Sequence, residues 1–188
     1  MLDLLGKAEK PVLLVGGPGW SETAREQVQA FALRNNLPIV SSFRRRDIID
    51  NRHSCYVGEL GIGSNPNILS WLRKSDLVIA FGLRLGEMNT IGSGVMNGFT
   101  LFDVPVPSQK LIQIHSGLEE LNRVYQANLA ILSSPAPMAA ALEKSEALIS
   151  IPWDQWTLDA RAEYQNYTNT DCCPEPVLLP SIYRWLRD

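Results

Sequence analysis

Ser75-Asp76-Leu77-Val78-Ile79-Ala80-Phe81-Gly82-Leu83-Arg84-Leu85-Gly86 is the stretch on which the fold turns. Five apolar residues run without a polar interruption and stop at a glycine, whereas a half-buried antiparallel strand would alternate. The run predicts a strand over residues 76–82 buried on both faces, as in a parallel sheet. Two further stretches repeat the pattern, Pro11-Val-Leu-Leu-Val-Gly-Gly17 before it and Lys110-Leu-Ile-Gln-Ile-His115 after it. In open sheets of this kind ligands sit beyond the carboxyl ends of the strands. That rule makes Gly16, Gly17, Gly82, Arg84 and His115 the candidate binding residues.

Working outward, Ser21 stands where it can cap a helix in which Ala24, Val28, Phe31 and Ala32 recur at helical spacing. Asn35-Asn36 supplies a left-handed residue to end it, and Leu37–Ser41 reads as a second strand. Residues 42–64 read mostly as loop, with Gly58, Gly61 and Gly63 giving backbone freedom. Pro66, capped by Ser64 or Asn65, opens a helix with Ile68, Leu69 and Leu72 on its apolar face. The segment 84–109 holds four glycines and two prolines, and a connection that long in a compact domain predicts a functional loop. Strand 110–115 leads through Gly117 into a short helix with Leu118 and Leu121. A strand over 129–132 and a helix from about Pro135 to Ile149 follow. This alternation predicts an α/β domain, a doubly wound parallel sheet with right-handed crossovers and helices on both faces.

With 188 residues and 45% hydrophobic content, the chain can bury one good core. That core is expected in residues 1–150. Past Pro152 the composition shifts: Trp153, Trp156, Tyr164 and Tyr167 predict a helix, Thr168–Pro176 reads as a linker, and 151–176 is expected to be helix and linker together. Residues 177–188 begin another helical pattern, with Ile182, Trp185 and Leu186 on one face. The expectation is the truncated start of a following domain, the chain being cut inside a helix.

The formal net charge is −3, and the one cationic run is Arg44-Arg45-Arg46, so no broad basic face for nucleic acid is expected. No stretch approaches the roughly 18 apolar residues that span a bilayer, which points to a cytoplasmic protein without membrane contact. Cys55, Cys172 and Cys173 offer neither a disulfide framework nor a zinc spacing, and His53 and His115 are too few for a metal cluster. No Gly-x-Ser-x-Gly elbow is present, and no complete catalytic site is expected.

Each candidate carries two readings. Gly16-Gly17-Pro18-Gly19 lets backbone N–H groups approach a diphosphate, or it is simply a tight strand-to-helix turn. The second strand ends in Ser41-Ser42, where an ordinary NAD site would place an acid for the ribose, and no phosphate-binding Gly-Lys-Ser/Thr run occurs. Arg84 could grip phosphate in bidentate fashion, or pair on the surface with Glu87. The Arg44–Arg46 run with Asp47 is either a ligand-side patch or a solvated charge run. His115 could bond an adenine or ribose, or be satisfied by nearby backbone.

From about Leu5 to Leu148 the order of motifs resembles the central domain of thiamine-diphosphate-dependent enzymes of the acetolactate synthase and 2-oxo-acid decarboxylase group. The resemblance rests on Pro11-Val-Leu-Leu-Val-Gly-Gly17, Tyr56-Val-Gly-Glu-Leu-Gly-Ile-Gly-Ser-Asn-Pro66, the Ser75–Gly86 run, and Lys110-Leu-Ile-Gln-Ile-His-Ser116 followed by Glu119-Glu-Leu-Asn122. It implies a six-stranded parallel sheet that serves as scaffold and subunit contact in a homodimeric or homotetrameric parent. Flanking domains of the same chain would hold thiamine diphosphate and Mg²⁺, and this part alone would be catalytically silent. The family's Gly-Asp-Gly magnesium motif is not found here. Some members carry FAD or ADP on this domain, and Gly16, Gly17, Gly82 and Arg84 match their positions. Where those members have acids, this chain has His115-Ser116-Gly117 and Ser133-Ser134. The alternative implied is a freestanding FAD- or ADP-type nucleotide-binding or regulatory module.

Overall fold

The structure is a computed structural model that describes residues 1–92, 97–169, 182, 183, 185 and 186. Six strands form one sheet: β1 (Pro11–Val15), β2 (Ile39–Ser41), β3 (Tyr56–Glu59), β4 (Leu77–Phe81), β5 (Lys110–His115) and β6 (Leu129–Leu132). Their order is β3-β2-β1-β4-β5-β6, and every neighbouring pair is parallel. β1 and β4 lie side by side in the middle, with Leu13 opposite Ile79 and Val15 opposite Phe81. The chain winds outward from β1 to β3, then returns to start β4 on the other side. The carboxyl ends of β1 and β4 therefore flank the point where the winding reverses.

Alternation along the buried strands divides the core between the two faces. Leu13, Val15, Ile79, Phe81, Ile112 and Ile114 face α1 (Leu2–Leu5), α2 (Glu22–Arg34) and α4 (Pro135–Glu143). Val12, Leu14, Val78, Ala80 and Leu111 face α3 (Pro66–Leu72) together with Leu83, Leu85, Leu101, Phe102 and Tyr125. The second face is thus half helix and half coil: the β4–β5 and β5–β6 connections hold only single 3-10 turns, Glu87–Asn89 and Leu118–Glu120, among the described residues.

The helix starts follow the sequence expectations. Ser21 Oγ accepts from the Ala24 N–H at 3.1 Å, and Asn65, rather than Ser64, accepts from the Asn67 N–H at 2.9 Å with Pro66 in the first turn. Asn36 takes a φ of 44° just past α2.

Residues 42–64 are mostly loop, as expected, and within that loop they also hold a 3-10 turn, Arg46–Ile48, and the edge strand β3. Gly58 hides that strand, because its φ of 141° shifts the register against β2 between Ile39 and Val40 and breaks the alternation. The helix foreseen at Leu118–Leu121 is one 3-10 turn, and α4 ends at Glu143 rather than near Ile149, where Ser145 turns back onto the Leu142 carbonyl.

α5 (Asp154–Thr168) runs along β3, the outer strand on that side. Trp153, just before it, is fully buried and donates its indole N–H to the carbonyls of Asn35 and Asn36 at 3.0 and 3.1 Å. Trp156 stacks on Trp71 with centroids 4.1 Å apart, and Tyr164 meets Tyr56 edge-on at 5.2 Å. The Arg161 guanidinium donates to the carbonyls of Asn51, Arg52 and Tyr56. Trp153 joins the core of one sheet face and Ala160 that of the other, so the helix straddles the edge strand and shields it from further pairing. The expected linker after residue 169 and the expected domain start at 177–188 lie outside the described residues, apart from Ile182, Tyr183, Trp185 and Leu186.

Candidate functional site

The strand order brings Gly16, Gly17, Gly82 and Arg84 together at the winding reversal, with His115 one strand further along. Gly17 and Gly82 both have positive φ, 69° and 75°. A Cβ on Gly17 would run into the Gly82 carbonyl oxygen, and one on Gly16 would overlap the Ser42 hydroxyl. The glycines thus let the β1, β2 and β4 ends close on one another.

The crevice they form is occupied by this chain's own side chains. Trp20 donates its indole N–H to the Gly16 carbonyl at 2.7 Å and lies tilted against Phe81, centroids 5.0 Å apart. The ring of Pro135, at the start of α4, borders Gly19 and Gly82. A phosphate seated on a glycine-rich turn needs that space open to it. Trp20 followed the glycine turn in the sequence, and an aromatic there was the available signal.

Arg84 does not pair with Glu87. Its Nε lies 3.3 Å from Glu120, whose other carboxylate oxygen accepts from Arg123 at 2.6 Å. Glu120 is 14% exposed, so one sheltered carboxylate is shared by two arginines. It is held there by Gln113, which donates to the Glu120 carbonyl and accepts from the Asn122 N–H. His115 Nδ1 lies 3.0 Å from the Gly117 N–H and 3.2 Å from the Gly117 carbonyl oxygen. Both polar residues are thereby engaged by the β5–β6 connection.

The β2 and β3 ends carry the cationic run. Arg45 bonds Asp47 at 2.9 Å, with Arg25 3.2 Å away, and hydrogen bonding from Arg45 holds the Asp47 carboxyl below its ordinary range. Arg46 forms a two-bond ion pair with Glu59, which raises the guanidinium's pKa. Arg44 has no carboxylate within ion-pair distance among the described residues; its guanidinium lies over the Phe43 ring, 5.0 Å from the centroid. Asn89 ties this rim to the β4 rim, accepting from the Phe43 N–H and donating to the Arg84 carbonyl, both at 3.0 Å.

The chain belongs to the family described as "Thiamine pyrophosphate enzyme, central domain", whose model matches residues 1–142. It is 28% identical over 141 residues to the acetolactate synthase large subunit of Corynebacterium glutamicum, which covers 75% of this chain and 21% of that protein. It is 28% identical over 162 residues to the sulfoacetaldehyde acetyltransferase of Alcaligenes xylosoxydans xylosoxydans, covering 86% and 26%. To the acetolactate synthase isozyme 2 large subunit of Escherichia coli K12 it is 25% identical over 182 residues, covering 96% and 31%. The chain therefore spans between a fifth and a third of the length of these relatives. Among the described residues no group of three or more His, Cys, Asp or Glu side chains converges as metal ligands would. No helix among them is long and apolar enough to cross a membrane.

Proposed function

We propose, from that membership, that this chain is the central scaffold of a thiamine-diphosphate-dependent enzyme that makes or breaks the bond beside the carbonyl of a 2-oxo acid. Thiamine diphosphate supplies the carbanion chemistry in such enzymes. In this reading the cofactor and its Mg²⁺ are held by flanking domains of the parent chain, a homodimer or homotetramer working in the cytoplasm. In the same reading residues 1–150 are the central domain, 151–176 a helix and linker, and 177–188 the start of the diphosphate-binding domain. The Escherichia coli match over 96% of the chain supports that continuation.

The observation that carries the scaffold role is the filled winding reversal. Trp20 and the Pro135 ring take up space beside Gly16 and Gly82 that a nucleotide would need, and Glu120 pairs with Arg84. We read Gly16, Gly17, Gly82, Arg84 and His115 as a vestigial nucleotide site that now serves packing.

Calorimetric titration of the purified chain tests both parts. No heat is expected with thiamine diphosphate and Mg²⁺, FAD or ADP, and no pyruvate is consumed. Micromolar binding of FAD or ADP would establish the freestanding nucleotide module instead, and micromolar binding of thiamine diphosphate would overturn the assignment of that cofactor to other domains.

A further inference from the structure

Of three consecutive arginines, two are neutralised on the spot and one is held out. Arg45 is matched to Asp47 and Arg46 to Glu59, whereas Arg44 stands exposed with no carboxylate partner among the described residues. It is not loosely placed. Its backbone has a φ of 58°, a left-handed conformation that a glycine would adopt freely and an arginine adopts at a cost. Its guanidinium is laid on Phe43, and Phe43 is itself fixed by Asn89 and by Gly61, where a Cβ would run into the ring.

Phe43, Arg44, Arg46, Asp47, Glu59 and Ile62 line one groove at the carboxyl edge of β2 and β3. Of the other charged residues that line it, Arg46 is paired with Glu59 and Asp47 with Arg45 and Arg25, so Arg44 is the one lining cation without a carboxylate partner among the described residues. Its apolar lining is the Phe43 ring and Ile62, the latter 53% exposed.

We propose that this groove binds the carboxylate of a small monoanion with an apolar body, the charge on Arg44 and the body between Phe43 and Ile62. A phosphate dianion would lack a second free cation there. The choice of a 2-oxo acid as that anion rests on the function proposed above, while the groove itself does not.

The test is arginine-resolved NMR of this chain, labelled with ¹⁵N and ¹³C at the guanidinium groups, during titration with pyruvate, 4-methyl-2-oxopentanoate, butyrate and inorganic phosphate. The oxo acids should shift the Arg44 signals saturably, with 4-methyl-2-oxopentanoate binding more tightly than pyruvate, and phosphate should not compete. Arg44→Gln should weaken binding roughly tenfold, the share of one charge-assisted contact, and Arg123→Gln on the opposite rim should leave it unchanged. Backbone amide spectra of both variants check that they fold. Butyrate binding without oxo-acid binding supports the groove and defeats the 2-oxo-acid reading. The proposal is overturned if Arg44 shows no saturable shift, if phosphate shifts it equally, or if Arg44→Gln binds as the parent chain does.

Discussion

Replacing Trp153 by alanine should cost about 4–5 kcal/mol of folding stability. An indole buries roughly 150–250 Å², and at about 25 cal/mol per Å² that is roughly 4–6 kcal/mol as an upper bound, since the unfolded chain already hides part of it. Losing the N–H leaves the Asn35 carbonyl without its donor, adding about 1 kcal/mol, while Thr157 still donates to the Asn36 carbonyl at 2.8 Å. Measured aromatic-to-alanine losses of about 3–5 kcal/mol bracket the result. Trp153→Phe should cost only about 1–2 kcal/mol, because most of the packing survives. Urea unfolding followed by far-ultraviolet circular dichroism reads both: with a slope of about 2 kcal/mol per molar, the alanine variant's midpoint falls by about 2 M. Leu158→Ala, at a position 59% exposed on the same helix, should shift it by less than about 0.3 M, in line with the roughly 0.5 kcal/mol of surface changes. A Trp153→Ala midpoint within about 0.5 M of the parent chain would refute the view that α5 is built into this domain.

Gly17→Ala should destabilise by more than about 2 kcal/mol in the same assay, since a positive φ and the Gly82 carbonyl both oppose a methyl group. Trp20→Phe should cost about 1–2 kcal/mol by leaving the Gly16 carbonyl without its indole donor and by thinning the packing beside Phe81. Burial pushes the Tyr56 phenol up to about 12 from its ordinary 10.0. The unfolded chain therefore loses this proton first, so the stability Tyr56 contributes is intact below pH 10 and lost as pH rises from there through about 12. Thermal melts across that range should show the loss, and Tyr56→Phe should flatten it.

Much of the frame was legible because it is local. Continuous apolar runs marked β1, β4 and β5, and capping chemistry marked the starts of α2 and α3 through Ser21, Asn65 and Pro66. β3 was hidden because Gly58 interrupts a strand of four residues, leaving Tyr56-Val57 as its one apolar cue. The candidate site was legible only as a set of strand ends. Which ends meet depends on strand order, a property of the whole chain. For the same reason the partner of Arg84 proved to be Glu120 on the β5–β6 connection rather than nearby Glu87. Trp153 was read as part of a helix beyond the domain, and its burial under Asn35 and Asn36 depends on how the chain doubles back.

The unequal treatment of the sheet's two margins limits how copies could associate through their backbones. α5 closes the β3 side, whereas β6 has β5 as its one strand neighbour among the described residues and carries outward-facing Leu132. A body with a single adhesive margin can join one twin about a two-fold axis and then has nothing left to offer a third. Backbone pairing through the β6 margin alone would stop at two copies.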